Sequence, residues 1–129
     1  MKLDPNVRYA ASHEWARKEG AELVIGISDH AQHSLGDIVY VDLPKTGSAF
    51  AAKASFGVVE SVKAASDIYL PVGGKIAAVN SALTEEPALI NQDCYGAGWL
   101  VRIAPDDPAA WDSLLSPAEY EKLAAAEAE

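Results

Sequence analysis

The sequence predicts a mainly β protein, a sandwich or flattened barrel of short strands with a few short helices and a helical tail. Three observations lead there. Short apolar or alternating runs recur over roughly the first hundred residues, punctuated by Gly, Pro, Asn or Asp. They do not alternate with long helical repeats, as a parallel βαβ arrangement would require. Sustained helical spacing begins only beyond Pro105.

The elements follow in order. Glu22–Ile27 is a short apolar strand, after which Ser28 can cap a helical turn running through His30 to Leu35, with Gly36 as its terminator. Asp37–Leu43 is a further strand, closed by Pro44, and Ser48–Ala51 resumes after the Lys45-Thr46-Gly47 turn. Phe56–Val62 and Asp67–Leu70 form a hairpin, and Lys75–Val79 and Trp99–Ile103 add two more strands. Thr84–Ile90 reads as a short helical turn. After Pro105-Asp106-Asp107-Pro108, residues Ala109–Leu115 are predicted helical. Ser116-Pro117-Ala118-Glu119 is a capping box with proline at the first helical position. The helix it starts, about 117–127, offers Tyr120, Leu123 and Ala124 for packing. Its acidic end, Glu127 and Glu129, opposes the helix dipole, so fraying is expected there.

At 129 residues the chain is one domain, with a β core over about 1–104 and the tail over about 105–129. Ten basic residues against nineteen acidic ones leave a net charge of −9. With no basic stripe to neutralise phosphates, nucleic acid is not an expected partner. No apolar run approaches the roughly 20 residues of a membrane span, so no membrane is expected either. The amino terminus resembles neither a signal peptide nor a transit sequence. The expected location is cytoplasmic, or the mitochondrial matrix if a presequence has been removed. Cys94, the single cysteine, permits no internal disulfide and is read as a small, half-buried residue.

The hairpin carries the sharpest signal. Val58, Val59 and Val62 lead up to Lys63, Ile68, Tyr69 and Leu70 follow it, and small residues flank it (Ser61, Ala64, Ala65, Ser66). One long amine is thereby presented at a tip where nothing bulky obstructs an enclosing enzyme. A lysine at such a tip is by itself usually a solubilising charge. As a nucleophile it would need burial or a neighbouring cation, and a tip flanked by Glu60 and Asp67 supplies neither. It suits acylation by a separate ligase, which favours a carrier over an enzyme and leaves no catalytic residue to assign.

Other chemistry finds little support. His30 and His33 stand i, i+3 and could share a metal, but no cysteine or further histidine cluster completes a site, so they are read as surface histidines. His13-Glu14 lacks the second histidine of a zinc-protease motif. Trp15, Trp99 and Trp111 are read as packing residues.

Glu60-Ser-Val-Lys63-Ala-Ala-Ser-Asp67-Ile-Tyr69, followed by Pro71-Val72-Gly73, closely resembles the lipoate-attachment segment of the glycine cleavage system H proteins. Further blocks resemble the same family: Tyr9 with Ser12-His13-Glu14-Trp15; Gly26 to Gln32; Leu35 to Pro44; Val79-Asn80; Pro87; Leu89 to Asn91; Tyr95; Gly98-Trp99; and the acidic tail. Departures are modest: Lys45-Thr46, Ala51–Ala54, Leu70, and Cys94 where the family usually has proline.

The resemblance implies a lipoyl/biotinyl hammerhead, a barrel-sandwich hybrid, with carboxy-terminal helices added. It implies lipoate joined as an amide to Lys63, with Glu60 marking the site for the modifying enzyme, a lipoate ligase or a lipoyl/octanoyl transferase. Ser12, Glu14 and Asp67 are implied to line a cleft where the loaded arm docks. The implied partners are three. The P-protein decarboxylates glycine and leaves an aminomethyl group on the arm, the T-protein passes its carbon to tetrahydrofolate, and the L-protein reoxidises the dithiol. The carrier itself is expected to be a non-catalytic monomer. Alternatives are a lipoate relay, a biotin carrier or another lipoyl domain. Val62 and Ala64 stand where biotin carriers have methionines, and lipoyl domains of 2-oxoacid dehydrogenases lack Ser12-His13-Glu14-Trp15 and the tail.

Overall fold

The computed structural model describes residues 1–127. Nine strands form two antiparallel sheets: β1 (Arg8–Tyr9), β2 (Glu14–Glu19), β3 (Glu22–Ile27), β4 (Ile38–Asp42), β5 (Ala49–Phe50), β6 (Ser55–Ser61), β7 (Ala65–Tyr69), β8 (Gly74–Val79) and β9 (Val101–Pro105). The larger sheet has the order β1-β2-β3-β9-β8-β5, and the smaller β4-β6-β7. Between the strands lie α1 (Asp29–Leu35), α2 (Ala82–Glu85) and α3 (Leu89–Gln92). A 3-10 helix (Pro108–Ser113) and α4 (Pro117–Glu127) complete the described chain.

The main core lies where the sheets meet. Leu23, Ile25, Ile27, Ile76 and Ile103 of the larger sheet share one cluster with Ile38, Phe56, Val59 and Ile68 of the smaller. Each such side chain, fully buried, contributes about 1.5–3 kcal/mol of hydrophobic stabilisation.

A second cluster fixes the tail. Tyr120 and Ala124 of α4 pack with Val7, Tyr9, Trp15 and Val24, and Tyr9 and Tyr120 stack with ring centroids 4.2 Å apart. The capping box forms as predicted: the Ser116 N–H donates to Glu119 Oε1 at 2.8 Å, and the Glu119 N–H to Ser116 Oγ at 3.2 Å. The helix α4 runs to Glu127, as the 117–127 reading expects, and the Glu127 carboxylate lies 2.8 Å from His13 Nε2. That partner offsets the unfavourable position of the charge on the dipole. Glu129 falls outside the described residues.

The strands β1 and β2 are absent from the sequence reading. Arg17, Lys18 and Glu19 dilute the apolar signal of β2, yet its first half (Glu14, Trp15, Ala16) is buried. Pairing with β3 makes the strand, closed by Gly20-Ala21 with Gly20 at φ +64°. Trp15 lies opposite Gly26, where a Cβ would come within 2.5 Å of the indole. The missing side chain lets the ring lie against β3 and donate its N–H to the Ile27 carbonyl at 3.0 Å. The 109–115 helix is a 3-10 segment over Pro108–Ser113, and the 84–90 turn resolves into α2 and α3.

Candidate functional site

Lys63 stands exposed at the tip between β6 and β7. The turn is closed by the Ser61 N–H donating to the Ala64 carbonyl at 2.7 Å. Ser61 Oγ accepts from the backbone N–H groups of Lys63 and Ala64 at 3.3 and 3.1 Å. A further bond, Val62 N–H to the Asp37 carbonyl at 3.1 Å, ties the tip to the segment leading into β4. Small residues thus give the lysine a firm base as well as open surroundings.

The helix α1 begins as predicted, with Ser28 Oγ accepting from Ala31 N–H at 3.1 Å, and ends at Gly36 with φ +82°. The Lys63 side chain lies against that glycine. A Cβ built on Gly36 would stand 3.4 Å from Lys63 Cε and 3.9 Å from Nζ.

Beside this contact opens a cleft of about 390 Å³. Ile27, Ala31, Leu35 and Ile68 give it apolar walls, and Ser12, His13, Glu14, His30, Ser34, Ser66, Asp67 and Glu127 supply polar ones. Ser12, Glu14 and Asp67 are therefore together on one cavity. Glu60 is exposed on β6, opposite Ala65, and is not among the residues lining that cleft.

Glu14 is only 2% exposed. One oxygen accepts the Ser12 hydroxyl and the other the Tyr69 backbone N–H at 3.1 Å. Burial pushes its carboxyl above the usual range, and the bonds from Ser12 and Tyr69 pull it partly back. Asp67 is exposed on β7, with the Ser55 hydroxyl 3.4 Å from its Oδ1.

His13, read from sequence only as part of a motif, is central here. Its φ of +83° is rare for a residue with a side chain. Its ring sits between two partners: Nδ1 is 2.7 Å from the Tyr120 hydroxyl, and Nε2 is 2.8 Å from Glu127. The Tyr120 hydroxyl in turn lies 2.6 Å from Ser28 Oγ. No sequence periodicity links positions so far apart; packing of α4 brings them together. Cys94 is buried more deeply than expected, and burial pushes its thiol up to about 12.

Comparison with known proteins decides the family. A profile described as "Glycine cleavage H-protein" matches residues 7–127. The chain belongs to the glycine cleavage H-protein family. The glycine cleavage system H protein of Carboxydothermus hydrogenoformans is 50% identical over 124 residues, covering 96% of this chain and 95% of that one. That of Myxococcus xanthus is 48% identical, covering 92% of each. The crystal structure of the H protein from Mycobacterium marinum superimposes with a TM-score of 0.85 at 39% identity, covering 93% of this chain and 97% of that one. The mainly β barrel-sandwich with short helices and a carboxy-terminal helix is thus the H-protein fold.

Proposed function

We propose that this H-family protein is the lipoyl carrier of the glycine cleavage system and that Lys63 bears the lipoyl group as an amide. The observation that carries this reading is the placement of Lys63: its amine is exposed at a firm hairpin tip, with its stem across Gly36 beside the polar cleft. The residues fit such a group. The amine is open to a modifying enzyme, and the apolar walls from Ile27, Leu35 and Ile68 suit a hydrocarbon arm. When bound, lipoate would supply reversible dithiol–disulfide chemistry and a thiol able to carry a one-carbon amine.

The chain's own contribution is reception and shelter. Asp67 and Glu14 give the cleft negative charge that suits a cationic cargo, Ser12 holds the Glu14 carboxylate, and the apolar walls limit water. Glu60, exposed beside the tip, marks the lysine for the lipoate ligase or lipoyl/octanoyl transferase. The protein works as a non-catalytic monomer visiting the P-, T- and L-proteins. We place it in the cytoplasm; among the described residues no helix is long and apolar enough to cross a membrane. The relatives cited are named for glycine cleavage, which favours this role over a biotin carrier or a lipoate relay.

Reconstitution of glycine cleavage from the P-, T- and L-proteins tests the reading. Lys63→Arg preserves charge and removes the acylable amine, so the variant should fold normally and support no turnover. Wild-type-like turnover with that variant would refute the assignment.

A further inference from the structure

His13, His30 and Glu127 come from the loop before β2, from α1 and from the end of α4, and a potential ligand atom from each lies within 4.8 Å of the others. We propose that these three side chains form a binding site for a late first-row divalent cation, Zn²⁺ being the best match. Two imidazoles and one carboxylate are a donor set that zinc accepts, with the fourth position left to water.

Three features support a built site. His13 is held in place from behind, its Nδ1 at 2.7 Å from the Tyr120 hydroxyl and that hydroxyl at 2.6 Å from Ser28 Oγ. Metal-bound histidines typically rely on such an outer partner to fix the ring. The two hydroxyls can relay in either direction, so Nδ1–H can donate to Tyr120 while Nε2 presents its lone pair forward. The backbone of His13 is strained, at φ +83°, which singles out a position held by its surroundings. The two imidazoles already lie close, with ring centroids 5.0 Å apart.

The geometry requires only a modest adjustment. Zinc bonds of about 2.1 Å put ligand atoms of a tetrahedral site roughly 3.4 Å apart. The Glu127 carboxylate, 2.8 Å from His13 Nε2, would open by roughly 0.6 Å and give up that contact to admit the ion, and exposed Glu127 and part-exposed His30 can both adjust by about 1 Å through small torsional changes. The pair suggested by spacing alone, His30 and His33, is not the one that assembles. A bound ion would pin α4 across the wall of the cleft that Glu14 and Asp67 also line.

The test is calorimetric titration of the full-length, lipoylated protein with ZnCl₂, the arm kept as its disulfide so that free thiols do not compete. The expected result is one ion per chain and a Tm that rises with zinc concentration. His30→Asn and Glu127→Gln should each weaken binding by about tenfold or more, with Tm in chelator unchanged. His33→Asn should bind as the parent does. The proposal is overturned by no binding at millimolar zinc, by stoichiometric binding that survives both ligand substitutions, or by equal loss in His33→Asn.

Discussion

The Glu14 carboxylate accepts the backbone N–H of Tyr69 at 3.1 Å, joining the start of β2 to the strand that leads away from Lys63. The same side chain faces the cleft. It is therefore both a tie between the two sheets and a part of the candidate docking wall, and its two roles can be separated by substitution.

Glu14→Ala strands the Tyr69 N–H and should cost about 1–3 kcal/mol of stability. Glu14→Gln keeps an acceptor for Tyr69 and a donor for Ser12, and should cost less. Both remove the charge, so both should leave lipoylation intact yet hasten breakdown of the isolated aminomethyl-loaded protein. Thermal denaturation and time-resolved intact-mass analysis separate the effects. A Gln variant that keeps its cargo as long as the parent would remove Glu14 from the docking role.

The raised carboxyl of Glu14 has a consequence for pH. The folded state holds this proton more tightly than the unfolded chain does. Its contribution is full below the unfolded value and is lost as pH rises through the folded one. Glu14→Gln, uncharged throughout, should therefore gain stability relative to the parent between acidic and neutral pH. Denaturant midpoints measured in the presence of chelator check the sign, and a deficit of the Gln variant that widens with rising pH would contradict it.

With its thiol pushed up to about 12 and its side chain buried, Cys94 should resist alkylation in the native protein. Iodoacetamide at mildly alkaline pH should modify it only once denaturant is added. Mass spectrometry reads the outcome, and rapid native labelling would show that α3 and the following loop open readily.

Glu60→Gln should slow modification of Lys63 by purified lipoate ligase while Tm stays unchanged. The residue is exposed and contributes little to folding. Equal rates for the two proteins would leave Glu60 an ordinary surface charge.

Much of this was legible in the chain. The lysine hairpin, Ser28 and Gly36 bounding α1, and the Ser116–Glu119 box are local signals, each set by residues within a few positions. The strands β1 and β2 were not, because their polar residues carry no period: pairing with β3 decides β2, and pairing with β2 decides β1. Ser12, Glu14 and Asp67 were assigned to one cleft by family resemblance, and they do line one cavity. The bond from Tyr69 to Glu14 and the assembly of His13, His30 and Glu127 arise from packing between distant elements, which no linear pattern encodes.

The most direct test of the carrier account is peptide mapping of the protein purified from cells that synthesise lipoate. The account predicts a single lipoyl amide, on the peptide containing Lys63, and an unmodified chain when Lys63→Arg is expressed in the same cells. Lipoate on Lys45, Lys53, Lys75 or any other lysine, or a modified Lys63→Arg protein, would contradict it.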